Sequence, residues 1–405
     1  MKLFPSMNQP GVWITTLMAS SILMITMGSR QAMGLYVGPL NTDTGLGIVT
    51  ISLAMAIGQF VWGAVQPIAG AFADKYGPRP VLLCGVLILV IGSALTPFVT
   101  SSWGLILTMG FLTAIGAGAC SFSVLLGAAA QRMPTESRGV ASGIINAGGS
   151  FGQFVFAPII GKLIQWVGWM GSMWAMAVVT LLAIPLLNKL TSNTHAPAKP
   201  SDPEGGLKKA VSDAMRNPSY LLLHLGFFTC GFHIAFLVTH LPTEVGLCGL
   251  SPAVASWSLA LIGLANIVGS LFAGSCVNLY RSKYVLAFMY GSRAVLIGMY
   301  LAAPKTELTF YAFAVGLGLT WLATVPPTAA LVGKLFGIRY LATLFGLTLL
   351  SHQIGGFLGA YLGGLVFEAN NDYQWMWWAD IALSAIAALI NLPIKEAPIV
   401  RLQAA

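Results

Sequence analysis

Twelve long apolar runs dominate the chain, at approximately 13–40, 48–73, 80–99, 103–130, 137–164, 168–188, 218–246, 252–279, 283–303, 307–333, 340–367 and 373–394. Each reaches or exceeds the about 20 residues that an α-helix needs to cross a hydrocarbon core. The composition agrees. Of 405 residues, 57% are hydrophobic and 8% are charged, and the mean hydropathy is +0.81. A soluble domain carries about a quarter charged residues. The expected fold class is an all-α membrane protein with twelve transmembrane helices. The first run is too long for a cleavable signal peptide and reads as a retained helix.

Between the sixth and seventh runs lies "TSNTHAPAKPSDPEGGLKKAVSDAMRNP", polar and with four prolines, the only long hydrophilic stretch. It divides the chain into an N-terminal six-helix half (1–188), a linker (189–217) and a C-terminal six-helix half (218–405). With both termini cytoplasmic, the inner segments hold Lys2, Lys75, Arg79, Arg132, Arg138, Lys189, Lys199, Lys208, Lys209, Arg216, Arg281, Lys283, Lys334, Arg339, Lys395 and Arg401. The outer segments hold only Lys162 and Lys305. An excess of basic residues on cytoplasmic loops therefore sets this orientation, in a cytoplasmic (inner) membrane. It also assigns the formal charge of +8 to lipid topology rather than to nucleic acid. Five scattered cysteines without a CxxC pair predict neither a disulfide framework nor a metal site.

The two halves echo each other. "ADKYGPRPVLL" after the second run has a degraded counterpart in "VNLYRSKYVLA" after the eighth, and "RGVASGIINAGGSFG" in the fifth is echoed by "RYLATLFGLTLLSHQIGG" in the eleventh. The stretch "GAFADKYGPR" fits G-x-x-x-D-[RK]-x-G-x-[RK] through Gly70, Asp74, Lys75, Gly77 and Arg79. On these features the chain resembles the major facilitator superfamily of transporters, over its whole length. The resemblance implies two pseudo-symmetric halves that rock about a central site. Asp74 and Lys75, with Arg79, Arg132 and Arg138, would then form a cytoplasmic gate, Asp74 pairing with Arg132 or Arg138. No Walker motif occurs, so transport would be secondary, and the protein would be neither an enzyme nor dependent on a cofactor.

Within that superfamily the first helix is similar to those of monocarboxylate and oxalate/formate carriers. Arg30, inside "MITMGSRQAMGLYVGPL", falls where such carriers place a lysine a few residues before an aromatic, here Tyr36. His352 in "SHQIGGFLG" takes the place of an eleventh-helix lysine, and Trp321 lies near a substrate-facing aromatic of the tenth. One departure is plain: where monocarboxylate carriers have an Asp and an Arg in the eighth helix, "GLANIVGSLFAG" offers Asn266 and Ser270.

Of the twelve acids, eleven fall in or beside loops, Glu244 and Glu307 at span ends, and only Asp380 lies well inside a span, the twelfth. A cavity with cations and no carboxylate suits an organic anion, whereas carriers of cations and drugs usually need a buried acid. An unpaired arginine at mid-bilayer costs at least about 2.5–3.5 kcal/mol. Arg293, in the ninth helix, is expected to pair with Asp380 as a structural ion pair. Arg30 has no comparable acid, and its expected role is an anion anchor, with backbone carbonyls or Glu244 as the other choice. His233, His240 and Glu244 share one face of the seventh helix by their spacing. His233 and His352 are the candidates for carrying a proton. Asn146 and Asn266, polar in apolar runs, could bind substrate or tie helices together. "TVPPTAA" in the tenth run predicts a proline break and a hinge.

The expected function is proton-coupled transport of a small organic anion, a mono- or dicarboxylate, by a monomer in the lipid bilayer. Arg30 and His352, one from each half, would clamp the anion. The rivals are proton-driven efflux of a drug or amphipathic metabolite, for which "APIIGK" partly matches an antiporter GPxxGG, an anion exchanger that moves no protons, and a non-transporting sensor.

Overall fold

The computed structural model describes residues 10–130, 132, 135–191, 206–337 and 341–396. Helices make up the ordered elements, and no strand occurs among the described residues. The first half runs α1 (Pro10–Gln31), a 3₁₀ turn (Met33–Tyr36), α2 (Val37–Thr44), α3 (Ile48–Tyr76) and α4 (Pro78–Leu95). It continues through α5 (Ser102–Leu105), a π-helical turn (Ile106–Leu112), α6 (Thr113–Ala119), α7 (Phe122–Ala130), α8 (Thr135–Leu181) and α9 (Ala183–Thr191). The second half holds α10 (Gly206–Met215), α11 (Pro218–Leu247), α12 (Pro252–Leu279), α13 (Ser282–Ala302) and α14 (Glu307–Gly318). It ends with α15 (Val325–Phe336), α16 (Leu341–Asn370) and α17 (Gln374–Asn391).

Among the described residues, eight helical segments are long and apolar enough to cross a membrane. The expected count was twelve. The fifth expected span and most of the sixth fall in α8, as two helical stretches separated by a kink at Gly168 (φ 72°), a left-handed conformation that glycine adopts without penalty. The tenth expected span is broken. α14 ends at Gly318, and α15 starts at Val325 with Pro326 and Pro327 in its first turn. Prolines lack the N–H that would continue the ladder across this point, and in the irregular 319–324 turn the Thr320 and Trp321 carbonyls accept from a side chain instead of a helical N–H. α16 and α17 are also not among the eight: the Ser351–Gln353 stretch in α16 and Asp380 in the short α17 lower their hydropathy. Of the linker, 192–205 lies outside the described residues, and α10 buries Ala210 and Ala214.

Packing explains how the pieces meet. Within the halves, α1 lies along α8, and α11 along α16. Between the halves, α3 packs on α16 and α8 on α12. These four contacts are intimate because small residues let backbones touch, the usual solution where lipid supplies no hydrophobic drive between helices. A Cβ on Gly152 of α8 would stand 2.1 Å from the Met24 carbonyl oxygen of α1. On the inter-half seam, a Cβ on Gly263 of α12 would stand 2.5 Å from the Ser150 carbonyl oxygen of α8.

Candidate functional site

The central cavity lies where the halves meet and draws on both. From the first half come Leu23, Met27 and Gln31 of α1, Trp62 and Gln66 of α3, Phe122 of α7, and Asn146 and Gly149 of α8. From the second come Phe227 of α11, Leu322, Val325 of α15, and Phe345, Leu349, His352 and Gln353 of α16. Its volume is about 50 Å³, and its walls are mostly apolar. A larger space, about 460 Å³, opens between the same halves near Gly34, Pro39, Ile164, Pro242, Leu250 and Ser256. That vestibule lies at the α2 end of the molecule, away from the α3–α4 turn.

His352 and Asn146 line the central cavity as expected of site residues. The His352 ring sits 4.8 Å from Phe227, and its Nδ1 is 2.8 Å from Gln353 Nε2. Asn146 reaches across the seam, donating from Nδ2 to Ser270 Oγ at 3.4 Å.

The other expected site residues stand elsewhere. Arg30 is not among the residues lining the central cavity. Its guanidinium turns toward α3, donating to Gln59 Oε1 at 2.6 Å and the Gly58 carbonyl at 3.3 Å, and it stacks on the Trp62 ring at 4.9 Å. A smaller pocket with Met55, Met109 and Thr239 lies against it. The clamp of Arg30 and His352 is thus not assembled in one cavity. Of the two alternatives for Arg30, a backbone carbonyl is a partner here and Glu244 is not: Glu244 accepts from the Tyr300 hydroxyl at 2.8 Å. Tyr36 is buried and shares a hydrogen bond with Ser172 Oγ at 2.9 Å, inside the first half.

Asn266 ties helices together. Its Nδ2 donates to Ser150 Oγ at 2.6 Å, and its Oδ1 accepts from the Leu322 N–H at 2.9 Å in the break between α14 and α15. Trp321, within that break and fully buried, donates from Nε1 to Gln31 Oε1 at 3.3 Å, a contact between halves.

The expected ion pair of Arg293 with Asp380 is not the contact that forms. Asp380 Oδ2 is hydrogen-bonded to His233 Nδ1, both groups fully buried. Arg293 donates instead to the Thr320 carbonyl at 2.7 Å and the Trp321 carbonyl at 3.3 Å, taking the oxygens that the helix break exposes. The physical reason is that a broken helix presents concentrated acceptors, which compete with a carboxylate already engaged by an imidazole. His240 is a packing histidine: its ring nitrogens meet the Ala360 carbonyl at 2.8 Å and the Tyr373 hydroxyl at 3.1 Å.

The side chains of Asp74, Lys75 and Arg138 lie outside those described. Arg79 donates to Asn188 Oδ1 at 3.4 Å. Arg132 buries Nε and Nη2 without a partner among the described residues, and burial lowers its pKa.

The two-half architecture with a shared cavity is the one that the sequence motif anticipated. The profile of the Major Facilitator Superfamily matches residues 18–251 and 243–404. The chain belongs to this superfamily. Its members are transporters rather than enzymes, and the protein is a multi-pass membrane transporter. Among its relatives is monocarboxylate transporter 13 of Rattus norvegicus, 24% identical over 390 residues, covering 94% of this chain and 89% of the relative. The oxalate:formate antiporter of Oxalobacter formigenes is 22% identical over 393 residues, 96% and 92% of the two chains. The fujikurins efflux protein of Gibberella fujikuroi is 26% identical over 324 residues, 78% of this chain and 66% of the relative.

Sequence reasoning passed over Gln31, Trp62, Gln66 and Gln353, all of which line the cavity of this facilitator. A signal was present. Gln59, Trp62 and Gln66 recur at i, i+3 and i+7 in an otherwise apolar run, which puts them on one helix face.

Proposed function

We propose that this facilitator moves a small organic anion across the cytoplasmic membrane by alternating access, coupled to protons, with both termini cytoplasmic. The observation that carries the reading is the central cavity, built from both halves and holding His352, Asn146 and neutral amides but no carboxylate among its lining residues. The relatedness to a monocarboxylate transporter and an oxalate:formate antiporter supports the same substrate class.

The buried His233–Asp380 pair is the proton carrier in this reading. An imidazole hydrogen-bonded to a carboxylate can take up one proton without a second buried group having to ionise. The facing charge is Arg293, whose guanidinium grips the helix break beside Trp321. A proton on His233 adds positive charge near Arg293, which loosens the hold on the 320–321 carbonyls and frees Trp321 to part from Gln31. The proton is thereby linked to the separation of the halves. The gate of Asp74, Lys75, Arg79, Arg132 and Arg138 closes the opposite face.

Efflux of an amphipathic metabolite is the second reading, favoured by the cavity's apolar walls and by the fungal efflux relative. Reconstituted vesicles separate the two. An inward proton gradient should drive accumulation of a radiolabelled monocarboxylate, and dissipating the gradient should stop it. Asp380→Asn should abolish accumulation but retain anion exchange under equal concentrations. If no organic anion moves and the proton gradient expels lipophilic dyes, the efflux reading replaces the first.

A further inference from the structure

Three residues that line the central cavity each bury an N–H with no hydrogen-bond partner among the described residues: Gln31 Nε2, Trp62 Nε1 and Gln66 Nε2. Their side chains are at least nine-tenths buried, with exposures of 5%, 8% and 1%. All three belong to the first half, and all three line one cavity. Buried donors are nearly always satisfied, because leaving one unpaired forfeits its hydration without return. Three such donors on residues lining one cavity are an arrangement suited to a ligand that brings acceptors.

The surroundings limit that ligand. Gln31 spends its carbonyl oxygen on Trp321 Nε1, which fixes its amide so that the NH₂ remains available. The Trp62 indole has the Arg30 guanidinium over its face at 4.9 Å. A cation there polarises the ring and makes its N–H a stronger donor. Arg30 itself is held by Gln59 and the Gly58 carbonyl, so its charge acts through the indole rather than by contact. The same cavity is lined by Phe122, Phe227, Leu322, Phe345 and Leu349, and its other polar groups are already engaged, His352 Nδ1 with Gln353 and Asn146 Nδ2 with Ser270 Oγ.

We propose that Gln31, Trp62 and Gln66 form the head-group site for a singly charged organic acid with an apolar body. The neutral N–H groups receive the carboxylate, and the phenylalanine and leucine wall receives the rest. This rests on the carrier reading and deepens it. The anion is recognised by hydrogen bonds from uncharged donors, with Arg30 a positioning and polarising residue behind Trp62. A dicarboxylate would place its second charge among apolar side chains and amide and imidazole groups that already have partners, at a cost that no fixed cation lining the cavity offsets.

The test uses the matched pair hexanoate and adipate, which differ by one terminal carboxylate, with propionate and oxalate beside them. Binding to the purified full-length protein is followed by thermal stabilisation and titration calorimetry. Hexanoate should bind at least tenfold more tightly than adipate. Trp62→Phe keeps the ring and removes the N–H, and Gln66→Met keeps the length and removes the amide. Each should weaken hexanoate about tenfold, the usual effect of deleting a donor to a charged acceptor. Gln66→Glu should abolish binding at neutral pH by setting a carboxylate against a carboxylate. Unliganded unfolding temperatures within a few degrees of wild type establish that the variants fold, and Trp62→Phe and Gln66→Met are independent of each other in this respect. If adipate binds as tightly as hexanoate, or both folded variants retain wild-type affinity, the head-group site is wrong while the carrier reading stands. If wild-type protein binds none of the four acids, both fall.

Discussion

At the scale of the residue, two arginines that look alike in the sequence are stabilised in different ways. Arg30 uses a side-chain amide, a carbonyl and an indole face, and Arg293 uses the carbonyls of a broken helix. Asp380 belongs to His233, yet it shares a buried region with Arg293, so the three charges should be energetically linked without Asp380 and Arg293 touching. Asp380→Leu alone leaves Arg293 without a countercharge and should cost on the order of 3–5 kcal/mol. Adding Arg293→Met should restore at least about 1 kcal/mol of that, because the second change removes the charge that the first left unbalanced. Denaturant unfolding of the single and double variants measures the coupling, and strictly additive effects would show that the two sites are independent. The sequence made the need for a partner visible at both arginines, since charge in an apolar run always needs one. It did not reveal which partner, because neither the helix break nor the rotation of each side chain is encoded in spacing alone. Hence Arg30 reads as a cavity residue in sequence but turns onto α3, while Gln31 beside it turns inward.

At the scale of the element, the glycines separate contacts that hold a half together from contacts that join halves. Gly152 fits against Met24 within the first half, and Gly263 fits against Ser150 across the seam. Gly152→Val should lower folded yield severely, since its clash is with backbone in a contact that the rocking motion does not open. Gly263→Val should fold in good yield but favour the conformation in which α8 and α12 stand apart, so that transport slows. Size-exclusion profiles and uptake rates of the two variants distinguish these outcomes, and equal losses of folded protein would remove the distinction. Periodicity and length made most helices legible, and the proline pair located the break between α14 and α15. The kink at Gly168 falls where the sequence separates the fifth and sixth spans, since a non-helical glycine there interrupts the regular ladder.

At the scale of the molecule, the two-half plan was legible from the motif, the internal echoes and the hydrophilic linker, whereas the cavity between the halves depends on which faces meet. Orientation is tested directly. A reporter fused within residues 192–212 should be cytoplasmic and one within 304–308 external, and the reverse would overturn the proposed topology. Asp74→Asn should slow transport while leaving anion affinity within a few fold, since Asp74 of the proposed gate stands at the end of α3, about two helical turns beyond the cavity residue Gln66. Affinity lost in proportion to rate would tie that loop to folding instead. The hydrogen-bond partners of Arg30 all lie in the first half, and those of Arg293, His233 and Asp380 all lie in the second. Each half therefore carries its own fixed charges with it, and none is handed from one half to the other during reorientation. A whole elementary charge displaced through the membrane field would be worth about 2.3 kcal/mol per 100 mV. With the protein's own charges travelling little, the electrical signature of the cycle reduces to that of its cargo. One monoanion accompanied by one proton carries no net current, so such a carrier would run at the same speed in a polarised cell and in a depolarised one.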